Sequence, residues 1–216
     1  MNHRALAVLT AAALAGCGEK AQEARNAANA IQALAQAGNT AVDAQKDAEK
    51  FYADRREKGD TVAIPYTELQ KLLPSAPSGY SAAEEPSGSS QSMGAFSMSQ
   101  AEQKYVMPAD AEGNTPTIEV TLMDLGGTQA AYGMMALPMM MNISQEDAHH
   151  RMRSLKMDAA HTWGSEEYNK DNKDAKVTVV TRYRYAITVE ARNQKDDQSA
   201  MVKDLAESIA KQFDGK

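Results

Sequence analysis

Three features of the chain predict an α+β fold, a single antiparallel sheet with packed helices preceded by a long N-terminal helical stalk. Thr117 to Met123 alternates Ile118, Val120 and Leu122 with Glu119 and Thr121, and Val177 to Ala191 carries Val177, Val179, Tyr183, Tyr185, Ile187 and Val189, the pattern of half-buried strands. Ser199 to Phe213 places Met201, Leu205, Ile209 and Phe213 at four-residue spacing, the stripe of a helix that lies on a sheet. Ala21 to Lys58 is dense in Ala, Gln, Glu, Lys and Arg and has no proline, so propensity alone favours helix there.

Along that stalk Ala24, Ala27, Ile31, Leu34, Gly38, Ala41, Gln45, Ala48 and Tyr52 recur in a heptad rhythm. Most of these side chains are too small or too polar to bury much area, which leaves a loosely packed coiled coil or a solvated spacer, up to about 57 Å long at about 1.5 Å per residue. Gly59-Asp60 ends it, and the folded domain is expected over residues 61–216. Val62, Ile64 and Tyr66 form a short extended piece, and Thr67 caps a short helix through Leu69, Leu72 and Leu73 that stops at Pro74.

Residues 74–100, including Pro86-Ser87-Gly88-Ser89-Ser90, read as a flexible Ser/Pro/Gly-rich loop, with Met93, Phe96 and Met98 opening an extended segment inside it. Ala101 to Met107 and Thr117 to Met123 are strands, and Gly126-Gly127 breaks the second. Gln129 to Met141 is a Met-rich apolar segment interrupted by Pro138, and Ser144-Gln145-Glu146-Asp147 looks like the start of a helix that runs through His149 to Ser154. Met157 to Tyr168 is a strand around Trp163, Asn169 to Asp174 a polar turn, and Val177 to Ala191 either one long strand or two joined near Thr181-Arg182. This order of elements over residues 61–216 resembles the α/β/α sandwich of the PsbP and Mog1 group, which includes lipid-anchored accessory proteins. That resemblance carries no functional residues across.

At the N terminus, Arg4 precedes an Ala-, Leu- and Val-rich run from Ala5 to Ala15 that is too short to span a bilayer, followed by Leu14-Ala15-Gly16-Cys17. This resembles the lipobox of bacterial lipoproteins, which implies a signal peptide over residues 1–16 and acylation of Cys17, so that residues 17–60 form a lipidated stalk. Two or three acyl chains, at about 0.8 kcal/mol per buried methylene, hold a protein on the membrane durably. The resemblance implies a protein of the cell envelope facing the periplasm, and Gly18 in place of an aspartate implies the outer rather than the inner membrane. Cys17 is the one cysteine of the chain, so once it is acylated neither a disulfide nor a thiolate ligand is left.

The net charge of −6 disfavours binding to nucleic acid or to anionic lipid by charge. Met139, Met140 and Met141, followed by His149, offer soft thioether and imidazole groups of the kind that bind copper, although methionine also serves as an adaptable core filler. Arg182 and Arg184, alternating with Tyr183 and Tyr185, provide a possible anionic-ligand surface, against the plainer reading that the tyrosines pack inside and the arginines meet neighbouring carboxylates. No nucleophile and base stand in a recognisable spacing. The sequence therefore favours a non-enzymatic binding or accessory protein that contacts another envelope protein or a small ligand, and copper binding as the alternative.

Overall fold

The computed structural model describes residues 42, 43, 46–94, 96–126, 139 and 143–213. Helical residues 46–57 form α1, followed by α2 (Tyr66–Gln70) and the strands β1 (Ser81–Ala82), β2 (Ser87–Met93), β3 (Phe96–Val106), β4 (Thr117–Asp124), β5 (Ser144–Glu146), β6 (His150–Leu155), β7 (Thr162–Asn169), β8 (Ala175–Thr181) and β9 (Tyr185–Arg192), and then α3 (Ser199–Lys211). Every strand pairing is antiparallel. The strands form a single sheet in the order β1-β3-β4-β9-β8-β7-β6-β5, with β2 also on β3. Two meanders thus meet where β9 returns to β4.

Period-two alternation decides which side chains go inside. Ile118, Val120 and Leu122 of β4, Val177 and Val179 of β8 and Ile187 and Val189 of β9 share one face with no exposed surface, and α3 covers them with Val202, Ala206, Ile209 and Phe213. Leu69 of α2 closes the same core beside Tyr105 and Ala101 of β3. At the edge of this face Glu166 is buried and meets two guanidinium groups, Arg151 Nε and Arg153 Nη2, each at 2.9 Å.

Three expectations are corrected. The 74–100 loop is instead largely paired: β2 runs beside β3 from Ser87↔Glu102 to Met93↔Phe96. Serine and glycine have little strand propensity of their own, so the pairing comes from the partner strand and from local bonds. Ser90 Oγ accepts the Tyr66 amide at 2.9 Å and meets Ser99 Oγ at 2.8 Å, while a Cβ on Gly88 would come within 2.7 Å of both the Tyr66 ring and the Gln100 carbonyl. Glycine at 88 is what lets α2 press on β2.

The helix expected from Ser144 to Ser154 is a hairpin of β5 and β6, in register from Ser144↔Arg153 to Glu146↔Arg151. Asp147, taken as a helix-starting residue, turns the chain instead, its Oδ1 accepting the amides of His149 at 2.8 Å and His150 at 2.7 Å. The third correction moves the domain boundary expected at Thr61. Ala48, Tyr52 and Arg55 of α1 are buried, with Tyr52 donating to the Tyr183 carbonyl at 2.8 Å, so the end of the expected stalk is part of the folded unit.

Val177 to Ala191 is two strands, joined by a turn in which Arg182 and Tyr183 have φ of 53° and 54°. Side chains other than Gly, Asn and Asp rarely take this left-handed conformation, at roughly 1–2 kcal/mol per residue. Packing offsets the strain: Tyr183 is buried among Phe51, Trp163 and His161, and the Arg182 amide donates to the His161 carbonyl at 2.9 Å. Arg182 Nε and Arg55 Nη1 are buried there without a hydrogen-bond partner. Arg182→Gly, which removes both the strained side chain and the orphaned donor, is expected to raise stability by about 1 kcal/mol, read as a higher urea midpoint.

Burial pushes the phenols of Tyr52 and Tyr183 up to about 12. The folded chain keeps protons that the unfolded chain releases near pH 10, so this contribution to stability is full below about pH 10 and is lost as pH rises toward 12. Ultraviolet titration should show these two phenols ionising together with unfolding.

Candidate functional site

The second face of the sheet is ordered by register into three rows. An apolar row crosses Met123, Ala186, Val180 and Trp163. Phe51, Tyr52 and Ala48 of α1 pack against it together with Met139 and Leu125. One step along each strand lies a row of small polar groups, Thr121, Thr188, Thr178, Ser165 and Ser154, with Glu102 at its end. A further step gives a charged row, Lys104, Glu119, Glu190, Lys176 and Glu167, continued by Met152 and Gln145. Neighbours in each row stand about 4.8 Å apart along the hydrogen-bonding direction.

A cleft of about 530 Å³ opens where the charged row meets the β5–β6 hairpin, lined among others by Asp147, His150, Met152, Glu167, Lys176 and Glu190. A smaller cavity of about 200 Å³ lies beside it over Ser165 and Thr178, walled by Met139, Ile143 and Met152. Met152 and Glu167 line both. Glu190 and Asp147 are held in place. Glu190 takes both Nε and Nη2 of Arg192 at 2.8 Å, which raises the guanidinium above its ordinary range. Hydrogen bonds from the His149 and His150 amides hold the Asp147 carboxyl below the usual carboxylate range. On the rim Lys170 Nζ donates to Glu146 at 2.8 Å and lowers its carboxyl in turn.

The residues singled out from the sequence fall elsewhere. Arg184 is 2% exposed and does not present an anion-binding surface. Its Nε and Nη2 grip the two oxygens of fully buried Asp124 at 2.6 and 2.8 Å, Nη1 donates to Asp60 at 2.7 Å and Nη2 also to the Val62 carbonyl at 2.9 Å. Burial works against its charge, yet the bonds to Asp124 and Asp60 hold its pKa above the ordinary guanidinium range. Arg182 and Arg184 both stand in the β8–β9 turn rather than on one strand.

Met139 is buried in the cluster with Val180, near the Arg182 end of the β8–β9 hairpin. His149 faces Asp171 at 3.0 Å, over the β7–β8 turn at the other end of the sheet, so Met139 and His149 are not brought together. The pair that the fold does place on one face is His150 and Met152, two residues apart on β6. Among the described residues no three His, Cys, Asp or Glu side chains converge as a metal-binding group. Cys17, Met140 and Met141 lie outside the described residues, as do the signal peptide and the first part of the stalk. Among the described residues no helix is long and apolar enough to cross a membrane.

The cleft residues were hidden from sequence reading because Glu167, Lys176 and Glu190 come from three strands, and only the register sets them side by side. No family model and no curated protein matches the chain. It is similar to the extracellular domain of PknH from Mycobacterium tuberculosis, at 10% identity and a TM-score of 0.43, over 72% of this chain and 100% of that one.

Proposed function

We propose that the protein is a lipid-anchored binding protein of the cell envelope, held through Cys17 and facing the periplasm from the outer membrane, that takes its ligand or partner on the polar half of the second sheet face. The observation that carries this reading is the cleft of about 530 Å³, where Asp147 and Glu190 are fixed by bonds to their neighbours and the side chains of Glu167 and Lys176 are left to meet a ligand. Carboxylates pinned by guanidinium and amide donors are ready acceptors for a ligand. They are poor proton carriers, because the bonds that orient them also favour the charged form. Leu14-Ala15-Gly16-Cys17 supports the anchor. Mass spectrometry of the chain recovered from its own membranes tests it: the expected N terminus is an acylated Cys17, and an unmodified chain beginning at Met1 would refute it.

Copper binding is a second reading, favoured by Met139 and Met152 lining one cavity with His150 two residues along β6. Thioether and imidazole together suit Cu(I). A competition titration with a Cu(I) chelator should then show binding that Met152→Leu weakens, and binding indifferent to that change would remove copper from consideration.

A further inference from the structure

We infer that the cleft selects a small organic cation that carries an apolar chain, such as a primary alkylamine. This deepens the proposed function and rests on the cleft being the binding site. The ligand class follows from two adjoining spaces with different walls. The cleft brings Asp147, Glu167, Asp174 and Glu190 to one cavity, against Arg151 and Lys176 as fixed cations. Arg151 is already spent on Glu166 and on Asp197, at 2.9 and 3.2 Å, and Glu190 on Arg192, which leaves Asp147, Glu167 and Asp174 against Lys176. The field inside the cleft is negative.

The adjoining cavity has the opposite chemistry. Met139, Ile143 and Met152 give it apolar, adaptable walls, Arg153 on its lining is already paired with Glu166 at 2.9 Å, and its volume of about 200 Å³ accepts a short hydrocarbon chain. Glu167 borders both spaces, so one ligand can lay its chain along the methionines and hold its ammonium at that carboxylate. Among the described residues neither a hydrogen bond nor an ion pair engages Glu167, whereas Glu190 is held by Arg192 and Asp174 by the Asn193 amide. Glu167 is therefore the carboxylate with the most to gain from a cation. An anionic head group would meet the same field as repulsion, and a neutral one would leave the charged row unanswered.

Calorimetric titration of the full chain with hexylamine, hexanol and hexanoate, which share one chain length and differ in the head group, tests the inference. Hexylamine should bind at least roughly tenfold more tightly than hexanol, and hexanoate should give no saturable heat. Glu167→Gln should weaken hexylamine by roughly tenfold while leaving hexanol and the urea midpoint unchanged, and Glu167→Lys should turn the preference toward hexanoate. Equal binding of hexanol and hexylamine, a preference of the unmodified chain for hexanoate, or binding of none of the three would overturn the cation assignment. The first two outcomes, if lost when Thr178→Trp fills the cavity, would leave the cleft standing as a binding site for another class of ligand.

Discussion

Arg184→Met is expected to cost about 3–5 kcal/mol, the largest loss from any single change outside the hydrophobic core. The cost arises because Asp124, with no exposed surface, loses both guanidinium bonds and is left buried without its cation. The damage spreads along the chain. Asp124 also accepts the amides of Ile64 and Gly126, each at 2.8 Å, and Arg184 holds Asp60 and the Val62 carbonyl, so one ion pair ties the segment after α1 to β4 and to the β8–β9 turn. Gly126 is fixed by the same arrangement: its φ is 55°, and a Cβ there would lie 2.6 Å from the Ser97 carbonyl. Removing both charges, with Arg184→Met and Asp124→Leu together, should recover part of the loss, since no unpaired charge stays buried. Urea unfolding of the two variants measures the difference. A single variant within about 1 kcal/mol of the parent would show that the pair is not closed off from water.

Phe213→Ala is expected to cost about 3–5 kcal/mol, a cavity-forming loss at the end of the last helix. Phe213 is 1% exposed and stacks on Tyr185, ring centroids 4.1 Å apart, where the start of β9 passes beneath α3. Met201, at the other end of the same stripe, is only partly buried and should cost much less on replacement by alanine. The comparison isolates burial, because alanine at 201 keeps helix propensity and Phe213 lies just past the end of α3. Equal losses at the two positions would contradict the packing described for α3.

The alternation in Thr117 to Met123 and Val177 to Val189 was legible because those strands bury one face and their sequences say which. β2 was not, since Ser87 to Met93 is exposed along its whole length and owes its conformation to β3. The β5–β6 hairpin was misread for a related reason. An acidic, serine-led segment serves a helix start or an Asx turn equally well, and the partner strand β7 decides between them. Ala48 and Tyr52 belong to the heptad rhythm seen in the sequence, yet what they bury against is the sheet. Spacing identifies a face and leaves its partner open.

Arg184 shows the same limit at the level of a site. Alternating arginines and tyrosines gave no sign that Arg182, Tyr183 and Arg184 make a turn, or that Asp124, sixty residues earlier, stands within bonding distance of Arg184. The three rows of the second face are invisible for the converse reason: threonine, serine and glutamate at alternate positions look like any solvated strand face until register aligns them.

Native mass spectrometry of the acylated protein, purified from its own membranes as the parent chain and as Thr178→Trp, tests the central claim most directly. Thr178 lies in the middle of the polar row and borders the smaller cavity, so the indole fills the space without touching the buried core. The parent should carry a bound mass that the variant lacks, with unchanged unfolding midpoints. The same bound mass on both proteins, or none on either, would contradict a binding site on this face.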